Sequence, residues 1–400
     1  MRGLFKFCAG IVLCSLIIIL FSPPASGTVF VQRVNLKAVG DIMVHDVQYR
    51  SAYNYQTQDY DFLPMFKPVL KELEADLLIG NLETTLSGEK LGYSGYPRFN
   101  SPDNIAVTLK EIGFNFLFTA NNHSLDKGEY GLVRTLEILD KLHLNHTGTF
   151  ADADAKRKPS IIKINGISFG FLNYTYGTNG ILVPKGKDYM INYIDESQIE
   201  REIKELIPLV DMVIVGFHFG NEYWRTPSDE QRKIVLHAAQ AGADIILGAH
   251  PHVLQPYEFM EVDNRQVFVV YSLGNFVSGQ KERYRNSGAI LNMVIEKSIV
   301  DSRPRIISVD FTPVWVRRYV SNNRLRMEVV PSEPAESLEI PLTELELRQA
   351  SQVAADVNEL WQPVKNPQGV NSLLGAWANN YLPVTDPKSL VAVLIKYFGQ

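Results

Sequence analysis

Five short segments hold most of the residues in this sequence that could do chemistry. They are Gly40-Asp41-Ile42-Met43-Val44-His45-Asp46, Gly80-Asn81-Leu82-Glu83, Ala120-Asn121-Asn122-His123-Ser124-Leu125-Asp126, His218-Phe219-Gly220-Asn221-Glu222 and Gly248-Ala249-His250-Pro251-His252. Five of the 8 histidines lie in them: His45, His123, His218, His250 and His252. The other three, His143, His146 and His237, are read as structural or solvent-facing. Carboxylates, imidazoles and an amide oxygen together suit Zn²⁺, Mn²⁺ or Fe²⁺ better than Ca²⁺. We therefore expect a site for one or two divalent transition-metal ions. His250 and His252, two apart on an extended segment, can present their rings to adjacent ions, and one carboxylate can bridge two ions in a hydrolytic site. Taken singly, each segment has a plainer reading as a turn, a helix cap or a core histidine. Their repetition argues for the metal.

Each segment follows a short apolar run that reads as a strand: 34–39, 76–79, 114–119, 212–217 and 244–247. In α/β sheets, function gathers in the loops at the carboxyl ends of the strands. Between the runs lie helical stretches at 63–75, 130–142, 196–209 and 229–241, and Ser101-Pro102-Asp103 reads as a helix start. Asn165-Gly166 joins 161–164 to 167–172 as a two-residue hairpin. Later strands are expected at 266–271, 288–296 and 305–316. Strand–helix alternation followed by antiparallel strands gives an α/β fold of layered mixed sheets. Residues 28–319 are read as the main domain. Residues 320–400 are read as a C-terminal α/β extension without a chemical motif, with helices near 343–359 and 370–379.

The chain has 400 residues, 46% apolar and 21% charged, values of an ordinary globular protein that exclude long disorder, collagen and coiled coil. Arg2 and Lys6 precede an apolar run from Phe7 to Phe21, and Pro23-Pro24-Ala25-Ser26-Gly27 follows. Residues 1–27 have the architecture of a signal peptide, cleaved before Thr28 or retained as a membrane anchor. The rest is expected outside the cytoplasmic membrane. Both cysteines, Cys8 and Cys14, lie in this leader, so disulfides, cysteine nucleophiles and cysteine-based zinc sites are excluded from the exported part. Beyond the leader, 37 basic residues face 44 acidic ones, which argues against nucleic acid as a partner.

The segments above, with Tyr271-Ser272-Leu273-Gly274-Asn275-Phe276, resemble in order and spacing the CapA family, also called PgsA-like or PGA-cap proteins. The resemblance spans about residues 34–280. It implies a role in making, exporting or anchoring poly-γ-glutamate at a bacterial surface, alone or within a membrane capsule-synthesis complex. That family in turn resembles calcineurin-like metallophosphatases, which implies two mixed sheets packed face to face and flanked by helices. Carried over, Asp41 and His252 bind a first ion, Glu83 bridges, and Asn122, His218 and His250 bind a second. His123 is the acid/base, with Asp126 orienting it. The pattern departs in three places. Ile42-Met43 follow Asp41 where an Asp-x-His is expected, so either His45, four residues on, is the substitute ligand or the first ion loses one. The bridging residue is Glu, and Ser124 follows the catalytic histidine.

For substrate contact we assign Arg98, Glu222, Tyr223 and Asn275. Arg225, Lys281, Arg283 and Arg285 are further anion-facing candidates, and Tyr174-Thr175-Tyr176-Gly177 with Tyr223-Trp224 a candidate aromatic wall. Three functions stay open on the sequence. The first is a metal-dependent hydrolase or transferase acting on poly-γ-glutamate or a similar anionic surface polymer. The second is a phosphomonoesterase or nucleotidase, and the third a non-catalytic subunit of a polymer-export complex.

Overall fold

The strand runs are apolar at nearly every position because both faces of each sheet are covered. The computed structural model describes residues 31–298, 303–333, 338–361 and 364–365. The leader expected at 1–27 and the helix expected near 370–379 lie outside them. In chain order the elements begin with β1 (Val31–Ile42), α1 (Asp46–Ala52), the hairpin β2 (Tyr53–Asn54) and β3 (Asp59–Tyr60), α2 (Leu63–Phe66), α3 (Leu70–Leu73) and β4 (Leu77–Leu82). Next come α4 (Asn104–Glu111), β5 (Phe116–Phe118), α5 (Gly128–Lys141), β6 (Asn145–Thr147), α6 (Ala153–Arg157), β7 (Ser160–Ile164), β8 (Ile167–Thr175) and α7 (Glu196–Leu206). The chain continues with β9 (Met212–His218), α8 (Asp229–Ala241), β10 (Ile245–Ala249), β11 (Leu254–Val262), β12 (Arg265–Leu273) and β13 (Asn275–Val277). It closes with β14 (Ser287–Ser298), β15 (Arg305–Ser321), β16 (Arg324–Pro331), α9 (Glu344–Leu360) and β17 (Val364–Lys365).

One mixed sheet runs β16-β15-β14-β1-β4-β5-β6, with β13 beside β1 and β17 on β15; the other runs β11-β12-β10-β9-β8-β7. β1, β4, β5 and β6 are parallel to one another, as are β8, β9, β10 and β12. Side chains alternate across each strand. Leu77, Ile79, Phe116 and Phe118 of the first sheet meet Phe169, Phe171, Ile214, Ile245 and Leu247 of the second in one core. The rings of Phe116 and Phe171 stack across it at 3.8 Å. The alternate residues Leu78 and Leu117 pack outward with α2, α3 and α4. Val213, Val215, Ile246 and Val269 pack outward with α7 and α8. The result is the expected pair of mixed sheets between helical layers. No helix among the described residues is long and apolar enough to cross a membrane.

The helix expected over 63–75 is split by a 3₁₀ turn at Lys67–Val69, where Pro68 removes a backbone donor. The boundary drawn at 319/320 falls inside β15, which pairs with β16 up to Ser321. The sequence reading ends that strand at Val316, short of Arg317 and Arg318. Arg317 is nevertheless buried, held by Glu346 at 2.8 Å, Glu328 at 3.3 Å and the Ile340 carbonyl at 2.8 Å. Helix α9 belongs to the same body, since Ala350, Val353, Val357, Leu360 and Trp361 enter the inter-sheet core cluster.

Candidate metal centre

The parallel strands of both sheets point their carboxyl ends at one place. At Gly40 a Cβ would lie 1.9 Å from the Gly274 carbonyl oxygen, so only glycine lets β1 pass β13 here. Asp41 follows, paired in register with Asn81 of β4 and Asn275 of β13. Glu83 stands one residue past β4, His218 ends β9, and His250 and His252 follow β10. The two last imidazoles sit on left-handed backbone, with φ of 98° and 57°. Such conformations cost side-chain-bearing residues on the order of 1–3 kcal/mol and gather at functional sites.

Asp41 Oδ1 accepts from Asn81 Nδ2 at 2.8 Å; Asp41 Oδ2 lies 2.9 Å from His252 Nδ1 and 3.4 Å from the His250 N–H. Glu83 Oε1 is 3.6 Å from His218 Nε2 and 3.8 Å from His252 Nε2. His218 Nε2 is 2.9 Å from Asn122 Oδ1. Two sets, Glu83-His250-His252 and Asp41-Glu83-His218, each bring one donor atom per residue within 4.8 Å of the others. Glu83 is common to both. The structure thus gathers Asp41, Glu83, Asn122, His218, His250 and His252 at one point.

These groups are buried, and neither Glu83 oxygen nor His250 Nδ1 has a hydrogen-bond partner. Burial, then the neighbouring Asp41 carboxylate, holds the Glu83 carboxyl well above its ordinary pKa. Burial, then His250 and His252, holds His218 well below the usual imidazole range, and burial takes His250 down to about 3. The His218 and His250 imidazoles are therefore neutral near pH 7, with a lone pair each to give. An unpaired buried carboxylate is costly unless a cation or protons neutralise it. Unpartnered oxygens, a second carboxylate and neutral imidazoles together fit a divalent cation.

His123 stands beside this cluster. Its Nδ1 is 2.7 Å from Asp126 Oδ2, and that oxygen also accepts from the Phe99 N–H at 2.6 Å. The Phe99 ring is edge-on to His123 at 4.6 Å and to His45 at 5.1 Å, separating the two imidazoles. His45 Nδ1 accepts from the Gly279 N–H at 3.0 Å, which leaves only Nε2 free, and His45 belongs to neither close-packed donor set. Burial, with His252 nearby, takes its pKa down to about 4.

Sequence reasoning did not single out two amides. Asn81 lies two residues before Glu83 on the same side of β4 and in register with Asp41, a relation the strand period could have revealed. Asn179 Nδ2 approaches His123 Nδ1 at 3.5 Å, and Asn179 Oδ1 accepts from Asn122 Nδ2 at 3.2 Å; it comes from a loop without a motif. Tyr176, a candidate for the aromatic wall, lies 4.6 Å from the His250 ring and stacks toward His218 at 6.5 Å.

The assigned substrate contacts differ in their exposure. Arg98 and Glu222 are exposed. The Tyr223 ring lies 6.2 Å from that of His252. Asn275 is buried, and its Nδ2 donates to Gln280 Oε1 at 3.0 Å and to the Arg285 carbonyl at 2.6 Å. That position braces a loop from beneath and does not face solvent.

The model of the family described as bacterial capsule synthesis protein PGA_cap matches residues 35–280, more than half of the chain, and the chain belongs to that family. The PGA biosynthesis protein CapA of Bacillus subtilis (strain 168) is 31% identical over 263 residues, covering 65% of this chain and 67% of that protein. The capsule biosynthesis protein CapA of Bacillus anthracis is 28% identical over 298 residues, covering 69% and 70%. Among solved structures, a Staphylococcus aureus protein assigned as a 5′-nucleotidase, crystallised with α-ketoglutarate, aligns with a TM-score of 0.44 at 12% identity, over 81% of this chain and 58% of that one.

Proposed function

We propose that this member of the PGA_cap family acts in poly-γ-glutamate capsule synthesis outside the cytoplasmic membrane, cleaving or transferring the polymer at its metal centre. The observation that carries the catalytic part is Glu83. Both its oxygens are buried without a partner, between Asp41 and the imidazoles of His218, His250 and His252. Two donor sets sharing one carboxylate favour a pair of Mn, Zn or Fe ions, which Asp41, Glu83, Asn122, His218, His250 and His252 would hold. The sets, Glu83-His250-His252 and Asp41-Glu83-His218, cut across the division that the family resemblance implies, with Asp41 and His252 on one ion and Asn122, His218 and His250 on the other. When bound, such ions supply Lewis acidity that polarises a carbonyl and acidifies water. The chain's own residues do the rest. Asp126 holds His123 by Nδ1, which leaves Nε2 to give a proton to the departing amine as water, or an acceptor amine in transfer, bonds to the γ-carbonyl carbon and the γ-amide C–N bond breaks. The leader composition supports export, and capsule-synthesis membrane proteins are the partners this location implies.

A phosphomonoesterase is the second reading, favoured by the same His123–Asp126 pair, which serves an ester leaving group equally well. Metal analysis of the purified protein, run beside assays on poly-γ-glutamate and a generic phosphomonoester, tests both. Release of glutamate oligomers supports the first reading, and release of phosphate alone replaces it with the second. Metal-loaded protein that turns over neither substrate leaves the polymer-export subunit.

A further inference from the structure

We propose that Arg318 and Arg285 form a carboxylate-binding subsite on the rim of the metal centre. Resting on the polymer reading above, it would grip the α-carboxylates of a γ-linked glutamate chain. A γ-linkage consumes the side-chain carboxyl and leaves one free α-carboxylate on each residue, so the substrate is a row of anions.

Four arginines from the segments around the centre divide into two pairs. Arg283 and Arg225 are committed to α9. Arg283 meets Asp356 at 2.6 and 3.1 Å, Arg225 meets the Asp356 carbonyl at 3.3 Å and Glu359 at 3.5 Å, and both guanidinium groups lie over the Tyr284 ring. Arg285 and Arg318 are not committed in this way. Arg285 lies 3.5 Å over the Tyr223 ring, and its ion pair with the exposed Glu282 is long, at 3.7 Å. Arg318 Nη2 donates to the Gln280 carbonyl at 3.0 Å, while its Nη1 is buried with no hydrogen-bond partner. Among the described residues Arg318 forms no ion pair. Burial pushes its pKa below the ordinary arginine value, and Glu282 opposes that only in part.

Gln280 joins the two arginines to the centre. Its Nε2 donates to Tyr223 Oη at 3.4 Å, its Oε1 accepts from Asn275 at 3.0 Å, and the N–H of the preceding Gly279 donates to His45. Tyr223, under Arg285, is in turn the rim residue facing His252. A buried guanidinium N–H without an acceptor is costly until a ligand supplies one. The planar fork of arginine matches a carboxylate.

The test is fluorescence anisotropy with the full chain and two labelled γ-glutamate oligomers, one with free α-carboxylates and one with α-carboxamides. Arg318→Gln and Arg285→Gln should each weaken binding of the carboxylate form by about tenfold, the order expected for one charge-assisted hydrogen bond. Both should leave carboxamide binding and metal content unchanged, and neither should lower the melting temperature. Arg318→Lys, which keeps the charge, should lose less if the subsite is real. Wild-type protein that binds both oligomers equally, or variants that bind the carboxylate form as tightly as wild type, would overturn the subsite while leaving the polymer reading intact. Binding of neither oligomer by wild type would bring down both.

Discussion

Asn81 donates from Nδ2 to Asp41 Oδ1 at 2.8 Å, and the same nitrogen lies 3.3 Å from His218 Nδ1. Asp41 and Asn81 belong to one sheet and His218 to the other, so a single amide ties the sheets together at the centre. Asn81 is thus a positioning residue for two donors at once. Asn81→Ala should weaken metal binding by about 10–100-fold, the usual cost of losing a group that orients ligands. Competition with a chelator measures it, and unchanged affinity would show that the amide orients nothing.

Glu83→Gln should abolish metal binding yet stabilise the metal-free protein near neutral pH. The sign follows from its raised pKa. A carboxyl whose folded pKa lies above its unfolded value contributes stability at acid pH that is lost as pH rises through the folded pKa. Metal-free wild type therefore carries a penalty at pH 7–8 that the neutral amide removes, and the gap should shrink as pH falls. Denaturation of both metal-free proteins at several pH values decides it; a variant less stable at every pH would count against this reading of Glu83.

How much of this was legible in the sequence depends on distance along the chain. Asp41, Glu83, His218 and His250 could be read because each stands at the end of an apolar run, where a parallel sheet delivers loops to one edge. Asn179 could not, because only the folded loop after β8 brings it to His123. The C-terminal side misled for a physical reason. The sequence reading ends the strand before Arg317-Arg318, yet Arg317 is buried against two carboxylates and Arg318 donates to the Gln280 carbonyl. Charge pairing of that kind joins β15 to residues 328 and 346, which local pattern cannot anticipate.

The metal-free protein should lose stability as pH falls from about 6.5 toward about 4, and His45 should account for one proton of that slope. Its pKa drops from 6.5 to about 4 on folding, so the unfolded chain takes up a proton that the folded one refuses. Stability from this group is complete above the unfolded value and is lost on acidification through the window below it. His218 and His250 add slope of the same sign, and Glu83, whose raised pKa gives the opposite sign, offsets part of it. His45→Gln should lower the slope by up to about 1.4 kcal/mol per pH unit, the value for one proton. An identical slope in variant and wild type would contradict the burial argument.

Trp361 tests whether α9 belongs to the main body. Its indole is buried, Nε1 donates to the Gln255 carbonyl at 2.9 Å, and its ring packs on Phe311 at 4.3 Å. Trp361→Ala should cost about 3–5 kcal/mol, as for other buried aromatic truncations. Urea unfolding should remain a single transition. A loss below about 1 kcal/mol, within the range of surface substitutions, would mean the helix is a detachable extension.

His123 and His252 should separate catalyst from ligand. His123 Nδ1 is taken by Asp126, and neither close-packed donor set includes it. His252 lies in such a set, with its Nδ1 on Asp41 and its Nε2 toward Glu83. His123→Ala should therefore keep metal content and melting temperature near wild type while lowering turnover on the order of 10²–10⁴-fold, the range for general acid–base catalysis. His252→Ala should lower occupancy and melting temperature together, because bound metal contributes folding free energy. Asp126→Asn keeps an acceptor for the Phe99 N–H but no longer stabilises a protonated His123, so it should fall between wild type and His123→Ala in turnover at full occupancy. Metal analysis, thermal melts and the turnover assay on the same preparations give the answer. If His123→Ala loses metal as His252→Ala does, His123 is a ligand and the proton donor must be sought elsewhere on the rim.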